Sequence, residues 1–111
     1  MVKAAEERKA ENLIVMDMQP IASVTDYFVI CNGNSNTQIR AIVNGIKESL
    51  KNKKSNLLSI EADPSPTWAL MDYGDVICHV FDRQTRQFYD LEHLWADAIR
   101  AALKNKFSSH L

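Results

Sequence analysis

The spacing of apolar positions changes along the chain, and each change marks an element. Residues 2 to 11 have a helical composition, and "NLIVMDM" (Asn12 to Met18) is a short buried strand carrying Leu13, Ile14, Val15 and Met16. Pro20 ends that element, because it has no amide donor for a ladder and it restricts Gln19. "DYFVIC" (Asp26 to Cys31) is β-branched and aromatic and predicts a second strand. The stretch "NGNSN" interrupts it, with Gly33 free to adopt a positive φ. Ser35 and Gln38 then form a capping box ahead of Ile39, Ile42, Val43, Ile46 and Leu50, which recur at helical spacing as one stripe. Lys51, Lys53 and Lys54 close that helix as a solvated basic end.

"NLLSIEA" (Asn56 to Ala62) predicts a third strand, and the prolines of "ADPSPT" place the next residues in a loop. Two apolar runs flanking Asp72-Tyr73-Gly74-Asp75 predict a hairpin of strands four and five, turning at Tyr73-Gly74. That turn pairs Asp72 with Asp75, Leu70 with Ile77 and Trp68 with His79, all on one face of the sheet. Ala69, Met71, Val76, Cys78 and Val80 take the other face, suited to the core. "RQTRQF" reads as a polar turn, and Asp90 as the cap of a last helix presenting Leu91, Leu94, Trp95, Ala98 and Ala102 on one face. The order predicts an α/β (α+β) domain: a mixed sheet of about five strands packed with helices.

Composition narrows the functional classes. A chain of 111 residues, 46% apolar, is expected to form one domain over 1–111 with an ordinary core. The net charge of −1 argues against wrapping nucleic acid by bulk electrostatics, and no sequence-specific nucleic-acid binding is expected. No apolar run approaches a membrane span, and the mixed charges of "MVKAAEERKAEN" fit neither a signal nor a transit peptide. Cys31 and Cys78 each sit inside a strand-like run and read as reduced core residues of a cytoplasmic protein.

Three catalytic arrangements are weighed. Cys78 and His79 are strand neighbours that point to opposite faces, whereas Cys31 with His79 stays geometrically open but lacks an orienting third group. Asp72, Asp75 and His79 are suitable metal ligands, yet their spacing matches no closed set, and carboxylates beside a tight turn commonly cap its amides. The Asn32 to Asn36 loop could hold an anion at a helix start, but it lacks a P-loop's glycines and lysine. The strand after it offers only Glu61, so no carboxylate pair follows to hold magnesium. No catalytic residue, metal or cofactor is expected; a nucleotide- or metal-dependent enzyme built on this loop is the alternative. What stands out instead is the hairpin face: Trp68 beside Leu70 and Ile77, rimmed by Asp72, Asp75 and His79, has the composition of an interface. Either part of this face meets water and takes a basic partner, or the last helix covers it and Trp68 is core.

Three runs, "DYFVI-C-x-G-x-S", "W-x-L-x-D-Y-G-D-V-x-x-H-V-F" and "F-Y-D-L-E-x-L-W", occur in that order and span nearly the whole chain. They resemble the ribosomal silencing factor family, also called Iojap-like. The resemblance implies a nucleotidyltransferase-like fold without that activity. It also implies binding to the fourteenth protein of the large ribosomal subunit, on the face that meets the small subunit. Blocking subunit joining there represses translation under nutrient limitation, and in some organelles relatives assist large-subunit assembly. The family's partner-binding positions correspond to Trp68, Leu70, Asp72, Tyr73, Gly74 and Asp75, with His79 as a neighbour. Where members carry a Glu-Gly and a further glycine before the tryptophan, this chain has Ala62, Pro64 and Pro66. A homodimer is compatible with these features.

Overall fold

In the computed structural model, which describes residues 1–21, 25–51 and 57–108 (side chains through residue 104), five strands form one sheet. The elements in chain order are α1 (Val2–Glu7), β1 (Glu11–Asp17), β2 (Tyr27–Gly33), α2 (Asn36–Leu50), β3 (Ser59–Glu61), β4 (Trp68–Asp72), β5 (Val76–Asp82), α3 (Arg83–Tyr89) and α4 (Leu91–Ser108). The sheet order is β1-β2-β5-β4-β3, with β2 and β5 parallel and the other pairs antiparallel. This is the mixed, helix-packed α+β architecture expected from the pattern.

Alternation along the strands divides the core in two. Val29, Cys31, Ala69, Met71, Cys78 and Val80 face α2 and meet its Ile39, Ile42, Val43 and Ile46, with Ala4 and Ala5 of α1 closing the end. Phe28, Ile30 and Phe81 face the other way and gather Met18, Leu91, Trp95 and Ile99. The predicted α2 stripe is thus buried except for Leu50, which is half-buried. Its capping box is present in modified form. Ser35 Oγ accepts from Gln38 N, while Gln38 Oε1 reaches one residue further back to accept from Asn34 N. Gln38 Nε2 also donates to the Lys9 carbonyl, which ties the end of α1 to the start of α2.

Several expectations are corrected. The first helix stops at Glu7 because Lys9, at φ 63, turns the chain into β1. Gly33 ends β2 without a positive φ; a Cβ there would lie 3.1 Å from Ile39 Cγ1 and 3.2 Å from Ile39 N, so glycine serves close approach to the helix start. Strand three is shorter than predicted, Ser59–Glu61, and wholly exposed. Lys53, Lys54 and Asn56 lie outside the described residues. "RQTRQF" is not a turn but most of α3, capped by Asp82 Oδ1 accepting from Thr85 N at 2.7 Å. No α3 residue is buried, so no apolar stripe announced it. Asp90 takes φ 47 between α3 and α4, and its carboxylate meets His93 Nδ1 instead of a helix amide. Leu94 is 59% exposed; Leu91, Trp95 and Ile99 make the inward contacts of α4.

The hairpin turn moves by one residue. Tyr73 N donates to Val76 O, which makes Gly74-Asp75 the two-residue turn, with Gly74 at φ 84 in its first central position. Trp68 therefore pairs with Phe81, Leu70 with His79 and Asp72 with Ile77, and the expected opposition of Asp72 and Asp75 does not occur. Two bonds account for the shift. Asp72 Oδ1 accepts from Gly74 N at 2.8 Å, and the Asp75 carbonyl accepts from both Asp26 N and Tyr27 N, holding Asp75 in the turn beside β2. A two-residue register change preserves the faces, so Trp68 and His79 remain on the same side.

The cap on α3 gives a direct test. Asp82→Ala removes the acceptor for the Thr85 amide and should lower the free energy of unfolding by about 1 kcal/mol, read as a lower urea midpoint at unchanged slope.

Candidate functional site: the hairpin face

Strand pairing lays residues in rows across the face opposite α2. One row runs Glu61, Leu70, His79, Ile30; a second runs Asp72, Ile77, Phe28; a third runs Trp68, Phe81, Asn32. Trp95 of α4 covers the β2 end through an edge-to-face contact with Phe28, ring centroids 5.8 Å apart. Toward β4, Trp68 meets Tyr89 of α3 at 4.9 Å and Phe81 at 4.9 Å. Beyond that the helices stop: Leu70 and Asp72 are half-buried and Glu61 is exposed. Trp68 is neither a free surface residue nor a core residue. It stands at the boundary, half-buried, with α3 rather than the last helix against it.

The indole is held from below. Trp68 Nε1–H donates to His79 Nδ1 at 3.1 Å, so the imidazole carries its proton on Nε2. His79 is only 4% exposed, which corrects the expectation of a polar tip at the water boundary. Its Nε2 is buried and has no hydrogen-bond partner among the described residues. Phe28 packs edge-on at 4.8 Å and Phe81 stacks at 6.0 Å. Burial disfavours the imidazolium and draws the His79 pKa from 6.5 down to about 4. His79 thus orients Trp68 from beneath the surface.

The other expected positions separate. Tyr73 packs against the α2-side core, across the sheet from Trp68, and burial raises its phenol pKa. Gly74 and Asp75 form the tip, with Asp75 exposed. So Trp68, Leu70 and Asp72 share one face, His79 lies beneath them, and Tyr73 looks the other way.

Two of the three catalytic arrangements weighed from the sequence lose their geometry. Cys31 is on the α2 side and His79 on the α4 side, so the thiol–imidazole pairing left open by the sequence is not formed. Cys31 instead shares the α2-side core with Cys78, and the neighbouring Cys31 thiol together with burial pushes the Cys78 thiol well above its ordinary range. Asp72 is engaged with the turn amide and His79 with the indole, as a structural role for both requires. Among the described residues, no three His, Cys, Asp or Glu side chains could share a metal ion.

Sequence reasoning missed the α3 wall of this face. A groove of about 340 Å³ is bounded by Trp68, Leu70, Thr85, Tyr89, Glu61 and Asp63. Tyr89 is 50% exposed and makes an edge contact at 5.1 Å with Phe88, itself 81% exposed. Adjacent exposed aromatics in a polar stretch were the available signal; without α3 there was no wall to place them on.

Fold and face together describe a small α+β protein that presents a half-covered aromatic surface beside carboxylates. The family model described as "Ribosomal silencing factor during starvation" matches residues 1–110, and the chain belongs to that family. It is 40% identical over 100 residues to ribosomal silencing factor RsfS of Bacillus subtilis, covering 90% of this chain and 85% of that one. A crystal structure of a Chromobacterium violaceum protein, 32% identical, superposes with a TM-score of 0.82 over 86% of this chain and 79% of its own. The mouse mitochondrial assembly of ribosomal large subunit protein 1 is 30% identical over 98 residues, covering 86% of this chain and 43% of that protein. No helix among the described residues is long and apolar enough to cross a membrane.

The buried imidazole makes stability depend on pH. The unfolded chain binds the His79 proton near pH 6.5 and the folded protein only near 4, so stability is full above 6.5 and declines as pH falls between them. The whole effect is about 3 kcal/mol. Urea unfolding from pH 7 to 4 should show this decline, and His79→Gln, which keeps an acceptor for the indole, should flatten it.

Proposed function

We propose that this protein is a cytoplasmic translational repressor that binds the large ribosomal subunit and sterically blocks its joining to the small subunit. Its partner is a basic protein on the intersubunit face, the fourteenth of that subunit. The observation that carries this reading is the surface formed by Trp68, Leu70 and Asp72: an aromatic anchor held in place by His79, left half-covered by the helices, with carboxylates around it. A large ring fixed by a buried hydrogen bond pays little conformational entropy on docking, which is the property of an interface anchor. The family's name points to ribosome silencing and the mouse relative's name to the large subunit. Binding rather than turnover suits a face where each polar group nearest the anchor already serves the fold. A role in large-subunit assembly would use the same surface.

The exposed Asp75 at the turn tip and the half-buried Asp72 favour a basic partner, so complex formation should weaken as salt rises. Asp75→Lys should weaken it further.

Trp68→Ala should cost at least ~2 kcal/mol of binding, roughly a thirtyfold loss in affinity for large subunits. On sucrose gradients the wild-type protein should shift joined ribosomes toward free subunits, and folded Trp68→Ala should not. If that variant splits ribosomes as well as wild type, the hairpin face is not the binding site.

A further inference from the structure

The geometry points to the groove between β4 and α3 as the seat of a basic side chain of the partner protein, best filled by an arginine lying against Trp68 and Tyr89. It rests on the function proposed above and adds α3 to the docking surface. The walls are two aromatic rings, Trp68 and Tyr89, in contact at 4.9 Å, with Leu70 at the floor and Thr85 beside them. The lip carries Glu61 and Asp63, both exposed and neither in an ion pair among the described residues. Among the described residues, no lysine or arginine lines the groove. The nearby Arg40 of α2 donates to the Pro64 carbonyl at 2.9 Å, and so braces the lip loop. Pro66, fully buried, anchors the same loop. An aromatic wall facing carboxylates matches a guanidinium: its plane stacks on the rings while its fork donates to the carboxylates. An ammonium gains less from the same walls, being compact and strongly hydrated.

The carboxylates also select the class of macromolecule. Ribosomal RNA would bring phosphates against Glu61 and Asp63, a like-charge approach that costs binding, whereas a basic protein segment is attracted. The unusual "ADPSP" sequence shapes this lip: two prolines hold Asp63 over the groove in a stretch where glycines would leave it loose.

The test measures affinity for purified large subunits at several salt concentrations. Glu61→Lys/Asp63→Lys reverses the lip without touching a buried side chain, and should lower affinity roughly tenfold at low salt and less at high salt. Tyr89→Ala should also lose roughly tenfold, with circular dichroism unchanged. If Trp68→Ala loses binding but both of these variants keep it, the groove is empty in the complex and the occupant assigned here is wrong, while the function stands. If the lysine variant binds more tightly, the groove faces RNA, and the assignment is overturned. If wild type does not bind large subunits, the groove assignment and the function fall together.

Discussion

Everything on the hairpin face descends from the parallel pairing of β2 with β5. The seven residues from Tyr27 to Gly33 run in unbroken register against Val76 to Asp82. Both strands are apolar on two sides, so neither face of this pair can meet water and each requires a cover. On one side α2 supplies it with its stripe of isoleucine and valine; on the other, Trp95, Leu91 and Ile99 of α4 do. The helices are committed to the middle of the sheet, and on the face opposite α2 the edge strands β4 and β3 receive only what α3 can reach. The uncovered aromatic surface is the geometric remainder of burying the central pair.

The hairpin adapts to that arrangement through its turn. Glycine at the first central position allows the chain to reverse at Gly74-Asp75, and the Asp75 carbonyl then accepts two amides at the start of β2. The tip is therefore fastened to the central strand, not free to slide. It also relieves the like-charge opposition that a turn one residue earlier would impose, since Asp72 spends its carboxylate on the Gly74 amide. The acidic character of the face comes from separate carboxylates at different heights, Asp72 and Asp75 near the tip and Glu61 and Asp63 near the groove.

His79 couples the position of Trp68 to the stability of the fold. A buried neutral imidazole whose Nε2 finds no partner among the described residues is costly where an apolar side chain would pack freely. What it supplies is an acceptor for the indole, fixing the ring at the boundary between core and water. The cost falls on folding, and the return is an indole fixed at the protein surface.

The sequence by itself determined the alternation of the strands, the stripe and capping serine of α2, and the shared face of Trp68, Leu70 and Asp72. Each of these depends on spacing within one short segment, and spacing survives folding. Its motifs also determined the family, which the match over residues 1–110 bears out. Tertiary structure decided the rest. The turn moved because a bond from β2, nearly fifty residues away in the chain, chose between two positions for one glycine. Helix α3 formed in a polar stretch because Asp82 caps it and Arg86 binds Asn32 of β2 and Glu92 of α4, contacts with no local pattern. The burial of His79 followed from which helix covers which strand. Those choices are made by packing between distant segments, where periodicity carries no information.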